Sequence, residues 1–394
     1  MERGMWVYPW DLLDGGIEPV IRRLAGAGIN SLSVTTLYHN GRFLLPKRSR
    51  RKACLTTPGV AYFTTDQDRY PLGWAPAQDT EAERENLFPR VRAACTERGM
   101  QLRAWTVGFH DQPRPGQKII NVFGDEYEYA LCPAAPANQA YLHALVEDVT
   151  ATGLFDVIDL ESYGFHGVRH FHHHERDALQ LGSLEVYLLS LCFCNSCMDR
   201  SQARGIDAEV VRATVEAFLT RRLALDGPGE GPHGLWQLTS FLIHNPQVYA
   251  YTRSALATVQ DLLRSLRSAM PPDVQLGITS ATFWQPTAAA WQEGLDLRPD
   301  LWDVVDRLVL LAYFREPKDL HDELHFVLDS TDNHPSQVVM GQSLFPAESP
   351  SLPNVLTKLE VAKELGLDKI CLYNYGFLNE ERMRWLEPIC RAWD

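Results

Sequence analysis

The chain has 394 residues, 45% of them hydrophobic and 22% charged, with a formal net charge of -13. This is the composition of an ordinary globular protein with room for a large core, and its acidic balance lacks the broad basic field that non-specific nucleic-acid or anionic-membrane binding requires. No run of about 18 apolar residues offers a membrane span, and the opening MERGMWVYPWDLL lacks the pattern of a secretory leader, so a cytoplasmic protein is expected.

Strand-like and helix-like segments alternate along the whole chain, the signature of a parallel α/β fold. The first strand is expected at Met5 to Pro9, followed by a helix from Ile17 to Ala27 that Gly28 stops. The second strand, Ser31 to Thr36, opens into a polar excursion that runs to about Asp79 and includes a basic cluster, Lys47 to Lys52, read as a solvated loop. A helix from Glu81 to Arg98 leads to the third strand, Gln101 to Val107, and a long loop from His110 to Asn138 follows it. A helix from Gln139 to Thr150 precedes the fourth strand, in FDVIDLE, which ends at Glu161. Beyond it lies a mostly helical insertion, about 162–272, with a Gly/Pro break at Asp226 to Gly234. The remaining strands are Gln275 to Ser280, Arg307 to Tyr313, Gln337 to Gln342 and Lys369 to Tyr373, and a helix from Glu380 to Trp393 closes the ring. Long connections after strands 2, 3 and 4 make residues 1–394 one (β/α)8 TIM barrel carrying an insertion. The rival doubly wound sheet usually has a Gly-rich first turn, and PWDLLDGG is not one.

The fourth strand carries the chemistry. Alternation puts Val157, Asp159 and Glu161 on one face and Ile158 and Leu160 on the other. In a barrel the acidic face points inward, and Glu161 sits at the C-terminal end where barrel enzymes keep their reactive groups. We read Glu161 as a general acid/base on a glycosidic or similar bond, donating a proton to the leaving oxygen. Asp159 lies one layer below, either tuning it or forming an internal salt bridge to Arg103 or Arg307. Glycoside hydrolysis normally needs two carboxyl groups. Asp159 and Glu175 lead for the second, with Asp111, Asp125, Glu126 and Glu128 also on loops above the site. The seventh strand ends at Gln342, an amide that cannot act as a nucleophile.

Aromatic and polar residues at strand ends suit a sugar, whose apolar ring faces stack on aromatics while its hydroxyls take hydrogen bonds. Trp105, Trp284, Tyr313 and Tyr373 are candidates for the first task. His39, Asn40, His110, Asp111, Gln342 and Asn374 are candidates for the second. His166 and His174, the latter within His170-Phe171-His172-His173-His174-Glu175, are expected near the pocket, although this run fits no standard zinc spacing. Of the eight cysteines, Cys192, Cys194 and Cys197 form a C-x-C-x-x-C run that converges naturally on one tetrahedral ion. With Cys132 as the fourth ligand, this reads as a structural zinc site rather than a set of disulfides.

Together, the strand-four Glu161, the later Cys192, Cys194 and Cys197, and the earlier Cys132 resemble the barrel glycoside hydrolases of the large retaining clan, most closely the family 42 β-galactosidase catalytic domain. The resemblance implies a TIM barrel with Glu161 as acid/base and a four-cysteine zinc site. Two positions depart from it: Leu160 precedes the glutamate where the family has asparagine, and the family's strand-seven nucleophile falls near Gln342. TLYHNGRFLLP and GFHGVRHFHHHE are similar to segments of glycosidase-like bacterial barrel proteins of unassigned activity. The expected substrate is a small glycoside or oligosaccharide, with neither nucleic acid nor membrane as partner; a homo-oligomer is compatible with the composition. The alternatives are a metal-assisted sugar isomerase, lyase or epimerase using His110, Glu161 and the histidine run, and a catalytically inactive sugar-binding barrel.

Overall fold

The computed structural model describes residues 1–48, 52–110, 113–169, 179–224, 234–280 and 287–394. Eight parallel strands form the barrel: β1 (Glu2–Val7), β2 (Ser31–Tyr38), β3 (Gln101–Val107), β4 (Val157–Glu161), β5 (Gln275–Ser280), β6 (Arg307–Leu311), β7 (Val338–Ser343) and β8 (Lys369–Tyr373). Each strand pairs with the next, and β8 pairs with β1, so the sheet closes and its ladder has no free edge. Helices cover the outside. Ile17–Gly26 shows why: Ile17, Val20, Ile21 and Leu24 are buried at helical spacing, and the other face is left for polar residues.

Several boundaries differ from the sequence expectation, each for a local reason. β1 starts at Glu2 and stops before Pro9, because Pro9 sits at the first position of a helix, Pro9–Gly15, where its missing N–H costs nothing. The helix expected over Glu81 to Arg98 is two, Thr80–Arg84 and Leu87–Thr96, separated by Asn86 at φ 48. The last helix is also two, Glu380–Met383 and Leu386–Trp393, with Arg384 and Trp385 between them. Lys47 is more than a solvated charge: its ammonium lies 3.2 Å from the centre of the Tyr375 ring and donates to the Tyr375 carbonyl.

The long connections have structure of their own. The loop after β2 holds the antiparallel pair Gly41–Leu44 and Ala53–Thr56, and the loop after β3 holds Lys118–Ile120 and Glu126–Leu131. After β4 come helices Ser183–Ser190, Asn195–Ala203, Ala208–Leu223, Gly234–His244 and the long Pro246–Ala269, which returns the chain to β5.

The lower barrel is filled by charge rather than by aliphatic layers. Arg103 is fully buried and reaches Asp159 with two nitrogens, at 2.7 and 2.6 Å, and Glu2 at 2.9 Å. Arg307 joins Glu2 at 3.2 Å and donates to Gln275 at 2.6 Å. Burial opposes ionisation of Glu2, but Arg103 and Arg307 together hold its carboxyl below the usual carboxylate range. Gly277 makes room for this network, since a Cβ there would lie 2.2 Å from Asp159 Oδ1. Removing one partner of such a set strands a buried charge. Arg103→Met is therefore expected to cost about 3–5 kcal/mol in urea unfolding, and adding Asp159→Leu to recover part of that loss; equal stability of Arg103→Met and wild type would contradict the assignment.

Candidate active site

The C-terminal ends of the strands open into a cavity of about 570 Å³ to which all eight strands or the loops after them contribute. That size suits a small ligand. Its floor is aromatic. Trp6 on β1 and Trp105 on β3 meet edge to face at 6.3 Å, and Tyr38 on β2 packs edge-on to Trp105 at 5.1 Å. Gly341 on β7 admits the Trp6 ring, because a Cβ there would lie 2.8 Å from it. Below the rim the hydroxyls of Tyr8, Tyr38 and Tyr373 form a chain, with Tyr8 at 2.9 Å from Tyr38 and 2.8 Å from Tyr373. Burial raises all three phenols, Tyr373 to about 12, so they stay protonated and act as neutral hydrogen-bonding groups.

Glu161 ends β4 with its carboxyl in this cavity. Its Oε2 accepts a 2.5 Å hydrogen bond from the Trp105 indole N–H. Burial raises its proton affinity, and His39 and the Trp105 bond offset part of that rise. The strand ends sharply there: Ser162 adopts φ 59, and the carbonyls of Glu161 and Ser162 accept from Gly108 and Phe109 just past β3. The turn directs Tyr163 to His166 along the cavity wall.

The residues expected to bind a sugar divide into three groups. His39, Asn40, Trp105, His110, His166, Tyr313 and Tyr373 all line the cavity. The three imidazoles form a row, with ring centres 4.5 Å apart for His39 and His110 and 5.2 Å for His110 and His166. Gln342 and Asn374 do not line it. Both are fully buried on the opposite face of their strand ends, where the Gln342 amide donates to the Ser343 carbonyl and Ser349, and Asn374 accepts from Gly376. Asp111, His174, Glu175 and Trp284 lie outside the described residues. Asp159 is 1% exposed, absent from the cavity lining and paired with Arg103, the internal salt bridge that was its other reading.

Two carboxyls that the sequence reading passed over do line the cavity: Glu293, in the loop after β5, and Glu348, in the loop after β7. The only hint in the chain is that each is a lone acid in an apolar setting, in AAAWQEGL and SLFPAESP. Glu348 accepts from the Ser343 hydroxyl at 3.1 Å. Glu293 has no charged neighbour to offset burial among the described residues, and burial alone pushes its carboxyl up to about 7.

The four cysteines converge. Cys132, Cys192, Cys194 and Cys197 are buried with all sulfurs within 4.8 Å of one another, and Cys132 lies 3.4, 3.8 and 3.6 Å from Cys197, Cys192 and Cys194. Thiolates on a tetrahedral ion with bonds of about 2.3 Å stand about 3.8 Å apart, so this set can hold a metal ion. It joins the hairpin after β3 to the helices after β4, where Tyr251 also donates to the Cys192 carbonyl.

No protein-family model matches the chain, and neither does any curated protein. Solved structures do. The glycoside hydrolase domain of PgaB (BpsB) from Bordetella bronchiseptica matches with 13% identity and a TM-score of 0.54, over 99% of each chain. A β-galactosidase from the haloarchaeon Halorubrum lacusprofundi matches with 15% identity and a TM-score of 0.57, over 100% of this chain and 57% of its own. A β-galactosidase from Marinomonas ef1 matches with 10% identity and a TM-score of 0.53, over 99% of this chain and 59% of its own. The chain thus spans less than two thirds of the two β-galactosidases, and what it shares with all three at these identities is the (β/α)8 barrel fold.

Proposed function

We propose that the protein is a glycoside hydrolase that cleaves a small glycoside or oligosaccharide, with Glu161 as its central acid/base carboxyl. The observation that carries this reading is the setting of that one group: a partly buried carboxyl, bonded to an indole N–H, at the C-terminal end of β4 in a cavity floored by aromatic rings. Burial gives it the raised proton affinity that proton transfer to a glycosidic oxygen requires. Trp6, Trp105 and Tyr373 supply faces for a sugar ring, while the imidazole row and phenol hydroxyls supply its hydrogen bonds. A fold shared with a glycoside hydrolase domain and two β-galactosidases supports this chemistry over others that barrels host, as an analogy of fold.

A panel of aryl glycosides tests the reading. Wild type is expected to release the aryl group from at least one of them, and Glu161→Gln to lose about 10²–10⁴-fold in kcat with its thermal unfolding unchanged. Sugar binding without turnover, equal in both proteins, would support the inert barrel. Activity abolished by chelation and restored by a divalent ion would move the assignment to metal-assisted sugar chemistry.

We also assign zinc to the four cysteines, as a brace for the cavity wall that takes no part in bond cleavage. Four thiols with no disulfide among them fit a reducing cytoplasm. Elemental analysis is expected to find one zinc per chain that mild chelation leaves in place, and Cys197→Ser to lose both the metal and thermal stability. Metal-free protein of undiminished stability would remove the brace.

A further inference from the structure

With Asp159 neutralised by Arg103, the cavity still needs a partner for Glu161. We propose that Glu293 is that second carboxyl and the one that gives its proton to the leaving oxygen, with Glu161, in the same cavity, as the ionised partner. This deepens the hydrolase reading and rests on it, and it moves the donor's role from Glu161 to Glu293.

The argument begins with backbone. The Glu293 carbonyl accepts a 2.7 Å hydrogen bond from the Phe165 N–H, four residues past Glu161. Gly164 permits this approach, since a Cβ there would lie 2.1 Å from the same oxygen. The loop after β5 is thus docked against the turn that follows Glu161, and both residues line one cavity. Their surroundings then divide the roles. Burial raises the proton affinity of Glu161 too, but there the Trp105 N–H and His39 offset part of the rise. Glu293 meets no such help among the described residues; its neighbour Tyr163, on the same turn, is a buried phenol that stays protonated. A pair of acids whose environments separate their proton affinities has its donor in the group that holds the proton longer. Glu348 is the third acid of the lining, but its carboxyl already accepts from Ser343 and its carbonyl from Lys358.

In the reaction, the Glu293 carboxyl transfers its proton to the glycosidic oxygen as the bond from that oxygen to the anomeric carbon breaks. The water that supplies the new bond to that carbon returns one proton to the pair, so the protein ends as it began. Activity is expected to fall above about pH 7 as Glu293 loses its proton, and on the acid side as Glu161 gains one.

Leaving-group chemistry tests the assignment. For the sugar that wild type hydrolyses, methyl and 2,4-dinitrophenyl glycosides are compared, since dinitrophenolate departs without a proton. Glu293→Gln is expected to slow the methyl glycoside by about 10²-fold or more while keeping the dinitrophenyl glycoside within about 10-fold, and Glu161→Gln to slow both. Equal loss on both substrates, loss on neither, or the leaving-group pattern appearing in Glu348→Gln instead would overturn the proposal and leave the hydrolase reading standing. Carboxyl ¹³C NMR on glutamate-labelled protein gives a second arm that needs no turnover. The signal absent from Glu293→Gln should titrate near pH 7; a midpoint below 5 overturns the proposal even if wild type cleaves no glycoside.

Discussion

The site rests on a charge-balanced floor. Inside a closed barrel, shielded from water, a carboxylate without a partner would be too costly to keep. Glu2, Arg103, Asp159 and Arg307 answer this together, two anions against two cations, with Gly277 clearing space for the Asp159 oxygens. The consequence is felt two residues further along β4. Asp159 is committed to Arg103, and Glu161 is the first acid on that strand without a salt bridge among the described residues. Burial, rather than pairing, therefore governs its proton.

Above the floor the cup is held rigid by ties between successive loops. The cysteine cluster joins the connection after β3 to the helices after β4. On the far side Lys358, fully buried, donates to the carbonyls of Phe314 and Glu348 and to Ser349, locking the loops after β6 and β7 to each other. Burial lowers that ammonium to about 8. Arg382 adds bonds to the Leu344 and Ser349 carbonyls. Such ties hold the loops around the cavity together before a ligand arrives, and a site held in this way has less to reorganise on binding.

What could be seen in the chain was what depends on period. Alternation in FDVIDLE placed Asp159 and Glu161 inward, and β3, β5 and β8 begin and end at the residues expected of them. The C-x-C-x-x-C spacing pointed to a cluster because thiols so close have few other arrangements. What could not be seen depends on register and on loops. Choosing between Arg103 and Arg307 as the partner of Asp159 needs the alignment of β3 with β4, which no single strand encodes. Gln342 and Asn374 sit at strand ends as expected, but one step out of phase with the inward residues Ser343 and Tyr373. Glu293 left no periodic trace; it is the docking of its loop against Gly164 and Phe165 that brings it to the cavity lined by Glu161.

The most direct check of this account is a crystal structure of the Glu161→Gln protein holding an uncleaved oligosaccharide. The sugar ring should lie over the Trp6 and Trp105 floor, with the anomeric carbon of the scissile bond between residues 161 and 293. An oligosaccharide seated with that bond beyond hydrogen-bond reach of both side chains, or bound on another face of the barrel, would contradict it.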